Sequence, residues 1–135
     1  MFVLRFDLRI GPHSALTHAE QYRHALDMAR WADTRGFAAV ALSEHHDTDD
    51  GFMHSPLTIA AAVLGATSHI AATVNAALVP LYDPIRLAEE IATIDLIGPG
   101  RLSVTAGLGY RQSEFDMFGK LLADRVTDFE DAIRL

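Results

Sequence analysis

The sequence predicts an α/β protein made of four successive parallel strand–helix units, the N-terminal half of a (β/α)8 barrel. Three observations predict it. Apolar runs of strand length alternate with amphipathic helical stretches, in the order β-α-β-α-β-α-β-α, over all 135 residues. Two helices open on a capping residue followed by proline, at Ser55-Pro56 and Asp83-Pro84. Two others close on glycine, at Gly36 and at Gly98-Pro99-Gly100. Strands that alternate with helices pair in parallel through right-handed crossovers. A complete barrel takes roughly 250 residues, so four units make half of one.

The elements follow in order. Val3 to Ile10 alternates apolar residues and stops at Gly11-Pro12, a strand signal. Thr17-His18-Ala19-Glu20 fits a capping box. Tyr22, Ala25, Leu26, Ala29 and Ala32 then recur at helical spacing up to Gly36. Phe37 to Ser43 is the second strand, and Asp47 to Gly51 a polar loop. The helix from Ser55-Pro56 to about Ser68 is apolar nearly all round, which predicts deep burial. Ile70 to Leu81 contains the third strand. In the next helix Ile85, Ala88, Ile91 and Ala92 form the inward face. Leu102 to Ala106 is the fourth strand, followed by a short helix around Ser113 to Phe118. The last helix starts near Asp124, with Val126, Phe129, Ala132 and Ile133 on one face. It runs to Leu135 without a C-cap, which reads as a truncation after the fourth unit of a single domain, 1–135.

Composition excludes several classes. Half the residues are hydrophobic, enough for a core and against disorder. The net charge of -7 argues against nucleic-acid and anionic-membrane partners, which attract basic faces. The absence of cysteine excludes disulfides and thiolate metal sites. The N-terminal run MFVLRFDLRI carries charges and no cleavage site, and the apolar stretch Ile59 to Leu64 is too short to span a bilayer. A soluble cytoplasmic protein is expected.

The chemistry concentrates at Glu44-His45-His46, just past the second strand. Carboxyl ends of parallel strands are where α/β proteins place their sites, and histidine exchanges protons near neutral pH. Strand alternation puts Ala39, Ala41, Ser43 and His45 on one side, and Val40, Leu42, Glu44 and His46 on the other. The bulky pair suits the helix-covered side, so His45 faces the pocket and His46 is structural. A metal site is the competing reading, because Asp47, Asp49, Asp50 and His54 lie close by. Their spacing fits no ligand pattern, and no metal is expected. Gly107-Leu108-Gly109 is not a dinucleotide loop, since Gln112 stands where the third glycine belongs. Asn75, in an apolar strand, is expected to be buried with its amide hydrogen-bonded.

From Gly36-Phe37 through Glu44-His45-His46 the sequence resembles the bacterial luciferase-like monooxygenase family. The resemblance continues through Asn75-Ala76-Ala77-Leu78-Val79-Pro80, Asp83 to Glu90, Leu96 to Arg101-Leu102, and Gly107-Leu108-Gly109-Tyr110 with Glu114-Phe115 and Phe118-Gly119. It implies a (β/α)8 barrel using reduced FMN and O2 on a small organic substrate, or the deazaflavin F420 in one branch. By resemblance His45 is the proton-transfer group, assisted by Glu44. Asn75-Ala76 falls where the family often has a non-prolyl cis peptide under the flavin ring, and Gly109 and Tyr110 pass close to the cofactor. One departure is Leu108, where the family's segment has arginine. The family's phosphate-binding residues come from the second half of its barrel. No nicotinamide site is visible, so the resemblance implies a separate flavin reductase. The alternatives are an F420-dependent oxidoreductase and a non-catalytic half-barrel that self-associates, and a homo-oligomer is expected.

Overall fold

A computed structural model describes residues 1–135. Four parallel strands form one sheet in the order β1 (Val3–Phe6), β2 (Ala39–Leu42), β3 (Ala71–Leu78), β4 (Leu102–Gly107). Helices α1 (His18–Asp33), α2 (Pro56–Ala66) and α3 (Pro84–Ile97) connect them; α4 (Gln112–Met117) and α5 (Arg125–Arg134) follow β4. Register runs Phe6–Leu42–Val74–Val104 across the sheet. Leu42 and Val74, with Val40 and Ala72, are buried on the helix-covered side against Ala29, Ala32, Ala60, Val63 and Leu64. The alternate residues Arg5, Asn75, Ser103 and Thr105 remain exposed on the opposite, inner side.

The helix starts behave as the sequence predicts, with one exception. Thr17 and Glu20 close a reciprocal capping box (Thr17 N to Glu20 Oε2 2.8 Å, Glu20 N to Thr17 Oγ1 3.3 Å). Asp83 caps α3 by accepting from Arg86 N at 2.9 Å. Ser55 occupies the cap position of α2 but makes no capping bond, and its hydroxyl pairs with His54 Nδ1 at 2.9 Å. At the other end of α2 the guanidinium of Arg101 supplies the missing cation, donating to Leu64 O at 2.8 Å and Ile70 O at 3.2 Å.

Three expectations are corrected. The first strand ends at Phe6, not Ile10, because Leu8 takes a positive φ of 59° that extended pairing cannot accommodate. Leu8 is instead buried where the chain ties to the loop after β2, through Met53 N to Asp7 O and Ile10 N to Asp50 O. In α3 the inward stripe is Leu87, Ile91 and Ile94, while Ile85 is 60% exposed. Both stripes have helical spacing; packing against α2 and β4 selects the one with the larger apolar surface. On α5, Phe129 and Ala132 pack inward, whereas Val126 and Ile133 are exposed.

Asp33, the last residue of α1, ties that helix to the start of β3. Its carboxylate accepts from the amides of Ser68, His69 and Ile70 at 2.9, 2.8 and 2.6 Å. Burial works against its charge, but these three amides outweigh it and hold the carboxyl at about 2. The folded value lies below the ordinary 3.8, so the contribution is present above about pH 4 and is lost as pH falls toward 2. Asp33→Ala is expected to lower stability by about 1.5–3 kcal/mol at neutral pH. It should also flatten the acid limb of a stability–pH curve from urea melts; an unchanged limb would refute this account of Asp33.

Candidate functional site

Past Leu42 the chain leaves the sheet and places three titratable side chains at the carboxyl ends of the strands. Glu44 is buried with a full set of donors: Leu78 N and Tyr82 OH, each at 2.8 Å, and His46 Nε2 at 3.0 Å. Burial, and then the charge of Glu44, push the Tyr82 phenol far above its usual range, so it remains a donor. Glu44 is thus the partner of His46, not of His45 as the resemblance implied. Its polar ties run to Leu78 at the end of β3 and to Tyr82, just past the turn Val79–Leu81 that follows.

His45 finds its carboxylate elsewhere. Its Nδ1 lies 3.0 Å from Glu114 Oε1, and the same oxygen accepts from His46 N at 3.0 Å. Glu114, on α4, is fully buried, and its Oε2 has no hydrogen-bond partner. Arg111, one turn earlier, stands 3.5 Å from Glu114 Oε1 and donates to His46 O at 3.2 Å. The His45 ring is edge-on to Phe52 (4.6 Å) and Tyr110 (6.2 Å), and its Nε2 has no protein partner. Two carboxylate–histidine pairs therefore cross: Glu44 with His46, and Glu114 with His45. Glu114-Phe115 belongs to the family-like segment of the sequence, which assigns Glu114 no role. The available signal was an acidic residue flanked by Phe115, Met117 and Phe118 and one turn from Arg111.

The Asn75–Ala76 peptide is cis, and the β3–β4 register shifts between Asn75 and Ala77. Asn75 is exposed on the inner side of the sheet, where burial had been expected. Its apolar neighbours alternate toward the covered face, and Asn75 itself does not. Beside it the strands approach closely: a Cβ on Gly107 would come 2.8 Å from Ala76 Cβ. Gly109 has a φ of +73°, and a Cβ there would come 2.9 Å from the Phe115 ring. At Asn75–Ala76 and Gly107–Gly109 the chain thus runs too close to its neighbours to take a side chain at either glycine, and Tyr110, which follows, is exposed. Leu108, the departure from arginine, is also exposed; Arg111 is engaged with the 46–47 backbone instead.

A cleft of about 740 Å³ opens on the other side of the Glu44–His46 strand end, lined by His45, His46, Phe52, His54, Tyr82 and Phe118 among others. Asn75, Ala76, Gly109 and Tyr110 do not line it. His45 borders both the cleft and the Tyr110 rim.

Parallel strand–helix units with titratable groups gathered at the strand ends are the arrangement of half an α/β barrel. The chain belongs to the luciferase-like monooxygenase family, whose sequence profile matches residues 4–135. It is 30% identical over 103 residues to the alkanal monooxygenase alpha chain of Photorhabdus luminescens, covering 76% of this chain and 28% of that one. It superposes on the monooxygenase RslO1 of Streptomyces bottropensis with a TM-score of 0.90 and 26% identity, over 99% of this chain and 41% of the other. The fold is also shared with the oxygenating constituent of 3,6-diketocamphane monooxygenase from Pseudomonas putida, solved with FMN (TM-score 0.83, 24% identity, 96% of this chain and 37% of that one). The chain spans about a third of the length of the curated relatives it matches. The fold is that of the N-terminal part of these monooxygenases. No helix is long and apolar enough to cross a membrane.

Proposed function

We propose that residues 1–135 form the ring-binding and proton-transfer part of an FMN-dependent monooxygenase that acts with O2 on a small organic substrate in the cytoplasm. The observation that carries the reading is the side-chain-free backbone at Gly107 and Gly109 beside the exposed Asn75 amide, with the His45 imidazole 6.2 Å from the ring of the adjoining Tyr110. A planar heterocycle fits a surface without side chains, and the exposed Asn75 amide offers both a donor and an acceptor to its polar edge. Reduced flavin, when bound, supplies the electrons for oxygen activation. The protein's tasks are to bind, orient and move protons. The Asn75–Ala76 segment supports the ring, Tyr110 closes its rim, and His45 exchanges a proton through Nε2. Glu44 keeps the strand end rigid by holding Leu78 N and Tyr82 OH. A separate reductase would deliver the reduced flavin.

A second reading is a subunit that self-associates without catalysis. The unpaired outer edges of β1 and β4, with exposed Trp31, Val126 and Ile133, favour a homo-oligomer.

The test titrates the purified chain with oxidised and with reduced FMN under anaerobic conditions, reading flavin fluorescence and thermal stabilisation. Saturable binding is expected, weakened at least about tenfold (about 1.4 kcal/mol) by Asn75→Ala or by His45→Ala. Tighter binding of F420 would move the protein to the deazaflavin branch. Folded protein that binds neither flavin, sedimenting as an oligomer, would support the second reading instead.

A further inference from the structure

We propose that Glu114 is the positioning residue for His45: it fixes the imidazole as the Nδ1–H tautomer and so makes Nε2 the nitrogen that takes and gives the proton. The inference rests on the reading of His45 as the proton-transfer group. Glu114 Oε1 is already turned as an acceptor toward His46 N, so the 3.0 Å contact from Nδ1 to the same oxygen places a hydrogen on Nδ1. The same oxygen accepts from His46 N, which anchors the carboxylate to the backbone immediately beyond His45 and aligns it with the ring. Burial strengthens both bonds, because no water competes for Glu114. Nε2 is left without a protein partner at the border of the cleft and the Tyr110 rim.

The neighbouring pair has the opposite sense. His46 meets Glu44 Oε1, which also accepts from Tyr82 OH, through Nε2, so its hydrogen is on Nε2. Two adjacent histidines are thereby held in opposite tautomers by two different carboxylates. A purely structural Glu114 would not need this geometry. An apolar side chain fills a buried position of this kind at equal or lower free-energy cost than an ion held by one oxygen, with Oε2 left bare.

The experiment reads the tautomers directly from long-range nitrogen–proton correlations of the 15N-labelled chain at about pH 8.5, two units above an ordinary histidine. No flavin is added, so the outcome is independent of whether the chain binds FMN. In the wild type His45 should show the Nδ1–H pattern and His46 the Nε2–H pattern. Glu114→Leu should return His45 to the mixture of tautomers of an unrestrained imidazole and leave His46 unchanged. Glu114→Gln keeps an acceptor oxygen and should preserve the Nδ1–H pattern. A wild-type His45 protonated on Nε2 would overturn the proposal even if Glu114→Leu failed to fold. So would a folded Glu114→Leu protein whose His45 pattern did not move.

Discussion

Glu44→Ala is expected to lower the unfolding free energy by about 3–5 kcal/mol. The substitution removes a buried carboxylate that three donors share and leaves the amide of Leu78 and the phenol of Tyr82 without partners. A domain of this size is held by about 5–15 kcal/mol in total, so much of the population would unfold at modest urea. Tyr82→Phe removes only one of the donors and should cost about 1–2 kcal/mol. The same cluster predicts alkaline sensitivity. The Tyr82 phenol is raised above its ordinary 10.0, so above that pH the unfolded chain releases a proton that the folded chain retains. Stability therefore falls as pH rises past 10.0. Urea melts followed by circular dichroism measure both effects. A loss below about 1 kcal/mol for Glu44→Ala would mean that water or neighbouring groups replace the carboxylate, against this description of the strand end.

Phe115→Ala is expected to release α4. Phe115 is fully buried, but its buried partners are only Leu78 and Leu81, in a small cluster separate from the main core. Truncating a buried phenylalanine costs about 3–5 kcal/mol. Because that cluster carries α4 and little else, the loss should appear as local opening rather than as global unfolding. Hydrogen exchange at the Phe118, Gly119 and Lys120 amides, which close the end of α4, should accelerate toward unprotected rates. The amides of β2 and β3 should keep most of their protection. Gly109 would lose the ring that crowds it, and Glu114 would lose its fixed approach to His45. Equal acceleration across β2, β3 and α4 would show that the two clusters unfold together, and unchanged protection of α4 would show that Phe115 does not hold it.

The parts of this structure that depend on local physics were legible in the sequence. The capping box at Thr17 and Glu20, the Asp83-Pro84 start and the apolar parity of Val40 and Leu42 each follow from neighbouring residues, and each holds. The misplacements share a different cause. The first strand overran because the apolar alternation continues to Ile10, while the positive φ of Leu8 is imposed by contacts with residues 50 and 53. In α3, two stripes had equal periodicity, and only the packed neighbours choose Leu87 and Ile94. Asn75 was expected to be buried because its sequence neighbours are, but a strand turns alternate residues to opposite sides. The partner of His45 lies 69 residues away, beyond any local pattern, and the adjacent Glu44 was the natural but different choice. The cis peptide at Asn75–Ala76 was anticipated only through family resemblance, since spacing and composition carry no signal for it.

The central claim is that the strand ends around Asn75 and His45 receive a flavin ring. Amide chemical-shift mapping of the 15N-labelled chain during an FMN titration tests it most directly, because it registers weak binding and reports where the ring lies. The account predicts saturable shifts at Asn75, Ala76, Gly109 and Tyr110 and at the His45 ring, with α1 unaffected. Shifts confined to other surfaces, or none at these positions up to millimolar FMN, would contradict it.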